Sequence, residues 1–251
     1  MKTKKLIGMK RKNEPEGVAD ILSSLGLNLN EVNNFVEAGR QLQKVNPPLR
    51  FDMSPGDAFG WILRRYQFEV QSRRCTFKLD NYTAEVLRAI ACHMTQKCPK
   101  SGIMLCGMKG NGKTTLATAL LWVIRDLYKA GKMKFMGEYF SPEGRILKAT
   151  DVIPLYKSED FAAIRKLKHL PILIIDDLGE EPKETSVYGT PLYPLREILE
   201  ARYDSLLFTI VTTNLTPKDL PDHYGWRVVD RFAEMYFTIA HKGPSYRGKD
   251  Q

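Results

Sequence analysis

Gly107-Met108-Lys109-Gly110-Asn111-Gly112-Lys113-Thr114-Thr115 spells a complete G-x-x-x-x-G-K-[ST] phosphate-binding loop. The apolar run Ile103-Met104-Leu105-Cys106 leads into it as a strand would, and Thr114-Thr115-Leu116-Ala117-Thr118-Ala119-Leu120-Leu121 follows with helical composition. Strand, glycine turn and helix N-terminus in that order form the setting that phosphate capture requires. The glycines let the backbone open and turn its N–H groups onto phosphate oxygens. Lys113 is expected to reach the β- and γ-phosphates and Thr114 to ligate Mg²⁺, with Asn111 and Thr115 completing the nucleotide-lining set. The motif predicts binding of a nucleoside triphosphate.

Downstream, Ile172-Leu173-Ile174-Ile175 is continuously apolar, as a central parallel strand buried on both faces should be, and it ends in Asp176-Asp177. Such a strand delivers its first acid to the sheet edge where the phosphate loop ends. Asp176 is therefore assigned to Mg²⁺, directly or through water, and Asp177 to orienting or deprotonating the attacking water. Glu180 and Glu181 read as solvated turn residues, with the alternative that one of them is the base. A further apolar run, 207–212, leads to Thr213-Asn214, and the Asn214 amide is placed to hold the lytic water or sense the γ-phosphate. Arg227 and Arg231 share one face of a helical stretch. An arginine from a neighbouring subunit suits the charge that develops in phosphoryl transfer, so Arg231 is the first candidate and Arg227 the second. The plain alternative is a surface helix in which Asp230 pairs with a nearby base.

The 251 residues suffice for one α/β core and an appendage, and 43% hydrophobic content allows a sizeable buried core. No apolar run approaches the roughly 18–20 residues that span a bilayer. The basic N-terminus lacks the apolar stretch of a signal peptide, so a cytoplasmic location is expected. Cys75, Cys92, Cys98 and Cys106 have neither C-x-x-C spacing nor a nearby histidine pair, which argues for reduced thiols over a zinc site. The net charge of +9 favours a polyanionic partner, nucleic acid above all, although many basic proteins touch no DNA.

Residues 1–75 read as a small, basic, helical appendage for a partner or DNA, and 76–251 as the nucleotide domain. In the first part, Lys2 to Lys12 form a basic arm and 31–45 a helix ended by Pro47-Pro48. Ser54-Pro55-Gly56-Asp57 starts another helix, with Phe59, Ile62, Leu63 and Tyr66 as its apolar stripe. In the second part, a helix is expected over 80–95, a loop or hairpin over 132–144, and further strands over 145–150 and 236–240. Helices between strands imply a parallel sheet covered on both sides.

The order of phosphate loop, Ile174-Ile175-Asp176-Asp177-Leu178-Gly179, Thr212-Thr213-Asn214-Leu215, Gly225-x-Arg227-x-x-Asp230-Arg231 and Ser245-Tyr246-Arg247 resembles the AAA+ ATPases of the DnaC/DnaI helicase-loader group and the related IstB-type transposition helpers. The likeness covers residues 76–248. It implies an α/β fold: an AAA+ P-loop core with a five-stranded parallel sheet between helices and no helical lid. It also implies ATP and Mg²⁺ as cofactors, ATP-dependent homo-oligomers and binding to DNA. Carried over, Lys113 and Thr114 contact phosphate and metal, Asp176 the metal, Asn214 is the first sensor and Arg231 the trans-acting finger. Asp177 stands where many AAA+ proteins have glutamate, which suits slow or partner-dependent hydrolysis. The leading expectation is an ATPase that loads a replicative helicase with single-stranded DNA. The rivals are a duplex-binding helper of a transposase and a nucleotide-gated interaction module with little turnover.

Overall fold

The computed structural model describes residues 48–134, 142–187 and 190–247. Strand β1 (Arg50–Phe51) precedes helix α1 (Pro55–Ser72), where the Asp57 N–H donates to Ser54 Oγ at 3.1 Å and Pro55 occupies the first turn. Helix α2 (Asn81–Thr95) is capped by Asp80, whose carboxylate accepts from the Thr83 N–H at 2.7 Å. Then come β2 (Gly102–Gly107), the phosphate loop, α3 (Lys113–Lys129) and β3 (Met133–Lys134), which pairs antiparallel with β1. Strand β4 (Gly144–Lys148) is followed by a 3₁₀ turn (Ala149–Asp151), α4 (Val152–Lys157) and α5 (Phe161–His169). Strand β5 (Ile172–Leu178), the antiparallel hairpin of β6 (Thr185–Val187) and β7 (Thr190–Leu192), and α6 (Pro194–Asp204) come next. The order closes with β8 (Phe208–Thr213), α7 (Leu220–Tyr224), α8 (Trp226–Met235) and β9 (Tyr236–His241).

The main sheet has five parallel strands in the order β4-β5-β8-β2-β9. Side chains alternate across it with the strand period of two. Ile103, Leu105, Ile172, Ile174 and Ile210 join one core cluster, whereas Met104, Cys106, Leu173, Ile175 and Val211 join the other. Helices α1, α2 and α3 cover the first face, and α4 to α8 the second. Both faces are thus buried, which is why the central strands are apolar without interruption. The resulting fold is the expected α/β one, a parallel five-stranded sheet between helices. No helix follows β9 among the described residues.

Several boundaries differ from the sequence expectation. Helix α1 belongs to the compact unit Asn46–Gln251 instead of an appendage ending near residue 75. Its Ala58, Ile62 and Tyr66 are buried in the first core cluster, because without them that side of the sheet's helical layer would be open to water. The strand expected over 145–150 stops at Lys148, where the 3₁₀ turn redirects the chain into α4. Strand β8 begins at Phe208 because the Leu207 N–H closes the α6 terminus on Arg202 O at 3.0 Å. Within the expected loop at 132–144, Met133 and Lys134 form β3. The basic arm and the helix expected over 31–45 lie outside the described residues.

Candidate nucleotide site

Strand order converges the chemistry. β8 lies between β5 and β2, so Asn214 stands between the acid pair and the phosphate loop at one cavity. In the loop, Gly110 (φ +84°) and Gly112 (φ +92°) adopt left-handed backbone that other residues rarely take. A Cβ on Gly110 would lie 2.3 Å from Ser245 Oγ, and one on Gly112 would lie 2.3 Å from the Tyr66 hydroxyl. Gly107 ends β2, and the fully buried Asn111 donates its Nδ2–H to His241 O at 3.0 Å, tying the loop to β9.

Lys113 is held inside the curl of the loop. Its ammonium donates to Gly107 O (2.7 Å), Met108 O (2.8 Å), Asn111 Oδ1 (3.2 Å) and Asn214 Oδ1 (3.0 Å). Burial lowers its pKa, against the opposing pull of Asp177, Cys106 and Asp176. Thr114 donates its hydroxyl to Asp176 Oδ1 at 2.8 Å, and Thr115 is buried beside it at the start of α3.

The two acids are turned in different directions. Asp176 is 3% exposed, and its Oδ1 also accepts the Thr212 hydroxyl at 2.6 Å. Asp177 has φ +57° and lies on the cavity wall. Burial raises its pKa, with Asp176 and Glu180 adding to the effect. A carboxylate whose pKa is raised in this way accepts a proton more readily than an ordinary one. Thr114 and Asp176 form a pair of hard oxygen donors, which suits Mg²⁺ because that ion keeps most of its shell for water and phosphate.

Asn214 spans the gap: while Oδ1 accepts from Lys113, its Nδ2 donates to Glu180 Oε1 at 3.2 Å. Glu180 also pairs with Lys109 at 2.9 Å. Glu181 corrects the sequence reading, since it is 5% exposed and not a solvated turn residue. It accepts from the Gly179 N–H at 2.8 Å and from the Tyr224 hydroxyl, linking the end of β5 to α7.

Arg231 is not at the cavity of its own chain. It pairs with Glu200 at 3.2 Å and lies 5.2 Å from the Tyr203 ring centroid, on the α6 side of α8. Arg227 is exposed. Several residues of the cavity wall carry no local signal of that role. Tyr66 is one, packed edge-to-face on Phe77 at 5.8 Å. The C-terminal segment is another: the Tyr246 N–H donates to Gly110 O at 2.9 Å and its hydroxyl to Asp80 at 2.6 Å. This strap places Arg247 on the cavity wall. Ser245-Tyr246-Arg247 was visible as a motif, but nothing local disclosed what it touches.

A five-stranded parallel sheet, a phosphate loop leaving its inner strand β2 and paired acids two strands away define the AAA+ P-loop fold. Within that class the chain has the DnaC/DnaI type of fold. It is similar to the crystal structure of the DnaC helicase loader, with 25% identity over 71% of this chain and 99% of that one, at a TM-score of 0.52. A DnaI crystal structure aligns over 68% of this chain and 88% of that one, with 22% identity and a TM-score of 0.50. No protein-family model and no curated protein matches the sequence.

Proposed function

We propose that this protein binds and hydrolyses ATP and acts in DNA replication as a loader of a replicative helicase, working with single-stranded DNA. The observation that carries the reading is the gathering of Lys113, Asn214 and the acid pair around one phosphate loop, in a fold whose likeness to the DnaC helicase loader spans 99% of that chain. The loop amides and Lys113 bind the β- and γ-phosphates, the ammonium exchanging loop carbonyls for phosphate oxygens. Thr114 and Asp176 would hold Mg²⁺, which would supply neutralisation of phosphate charge. Asp177 receives the proton of the attacking water, and Asn214 orients that water against the γ-phosphate. Arg247 adds positive charge at the cavity wall. Arg231, turned away from its own site, serves the neighbouring protomer, so ATP promotes homo-oligomers. The net charge of +9 supports a nucleic-acid partner.

The testing experiment is ATP turnover at fixed salt with single-stranded or duplex DNA. Stimulation by single strands supports loading of a helicase. A duplex preference points instead to a transposition helper, and nucleotide binding without turnover to a nucleotide-gated module. DNA affinity should fall steeply with salt if several Lys and Arg contact phosphates.

A further inference from the structure

Thr212 is fully buried on β8 and does not line the cavity. Strands β5 and β8 run in step up to Ile175 opposite Val211 and resume at Leu178 opposite Thr213. Between those pairs, Asp176 and Asp177 together face the single residue Thr212, the two-against-one count of a bulge. Its hydroxyl uses both its capacities there. It donates to Asp176 Oδ1 at 2.6 Å and accepts the Asp177 N–H at 2.9 Å. The Asp177 backbone is left-handed at φ +57°, a conformation that persists only where the surroundings hold it.

We infer that Thr212 is a positioning residue whose hydroxyl holds this bulge, directing Asp176 inward to Thr114 and leaving Asp177 on the cavity wall. Without the bulge, two successive strand residues would point to opposite faces of the sheet, and the pair would not share one nucleotide site. The consequence for hydrolysis rests on the proposed function. The positioning itself does not.

Thr212→Val keeps the side-chain shape and removes the hydroxyl, leaving the Asp177 N–H without its acceptor, while Thr212→Ser keeps the hydroxyl. In the nucleotide-free protein, Asp177 amide hydrogen exchange should speed up about tenfold in the valine variant, the loss of one hydrogen bond, with the Val211 amide unchanged. The Mg²⁺ concentration that half-tightens binding of a fluorescent ATP analogue should rise several-fold. The kcat for ATP should fall about tenfold or more with KM within about twofold, and the serine variant should track wild type. Should the valine variant not fold, Thr212→Ala takes its place in the same comparison. An Asp177 amide equally protected with and without the hydroxyl overturns the inference, as does a serine variant as impaired as the valine one. Failure of the proposed function looks different: wild type would neither bind nor hydrolyse ATP, while the amide result would stand.

Discussion

Replacing Gly110 by alanine is expected to release the C-terminal strap from the phosphate loop. Two contributions follow from the geometry. A non-glycine residue held at φ +84° costs about 1–2 kcal/mol. The added Cβ would also sit 2.3 Å from Ser245 Oγ and 3.2 Å from Ser245 Cβ, so the strap must move. That movement breaks the 2.9 Å bond from the Tyr246 N–H to Gly110 O, worth about 1 kcal/mol. Together the change should lower unfolding stability by about 2–3 kcal/mol and weaken nucleotide affinity, because Arg247 leaves the wall with the strap. Ser245→Gly removes the atoms that collide. Alone it gives up the 3.3 Å bond from the Arg247 N–H to Ser245 Oγ and adds chain freedom, a loss of about 0.5–1 kcal/mol. In the double variant the strap can stay seated, leaving mainly the backbone term. Urea unfolding of the four proteins should therefore show a favourable coupling of about 1 kcal/mol, well above the 0.3–0.5 kcal/mol scatter of independent sites. Simple additivity, with nucleotide affinity lost equally in both alanine variants, would refute the contact between strap and loop.

Lys113→Ala should weaken nucleotide binding by about a hundredfold or more, since charged hydrogen bonds contribute about 1.5–3 kcal/mol each; unchanged turnover would overturn the site assignment. Asp177→Asn should abolish steady-state hydrolysis while leaving nucleotide binding intact, measured by turnover beside equilibrium titration. If Arg231 acts in trans, mixing Arg231→Ala with Asp177→Asn protein should recover some activity at shared interfaces, and no recovery among co-assembled proteins at any ratio argues against that role. His93 is buried, neither ring nitrogen has a hydrogen-bond partner among the described residues, and the ring stacks on Phe237 at 4.5 Å. Burial, helped by Arg50 and Lys100, lowers its pKa from 6.5 to about 3. Below about pH 6.5 the unfolded chain takes up a proton that the folded one refuses until about pH 3, so stability falls as pH drops, by about 2 kcal/mol between pH 8 and 5. His93→Phe keeps the stacked ring and should remove that part of the slope; equal slopes in urea titrations of the two proteins contradict it.

The pieces whose signal is local can be read along the chain. The phosphate loop is legible because the continuous stretch 103–121 carries strand, turn and helix start together. The acid pair is legible because a strand buried on both faces must be apolar until it reaches the sheet edge. Asn214 follows from the same logic one strand away. The other features are contacts between residues remote in the chain and exist only once it is folded. Tyr246 reaches Asp80 across 166 positions, and no local pattern encodes that meeting. The direction of each acid depends on a mismatch of register between β5 and β8, and so on Thr212 in another strand. Glu181 reads as polar and terminal, yet Tyr224 folds over it and buries it. Helix α1 has the composition of a basic appendage, but its apolar stripe finds α2 and α3, and burial outweighs composition. Periodicity says which face of an element is apolar; strand order alone says what that face will meet.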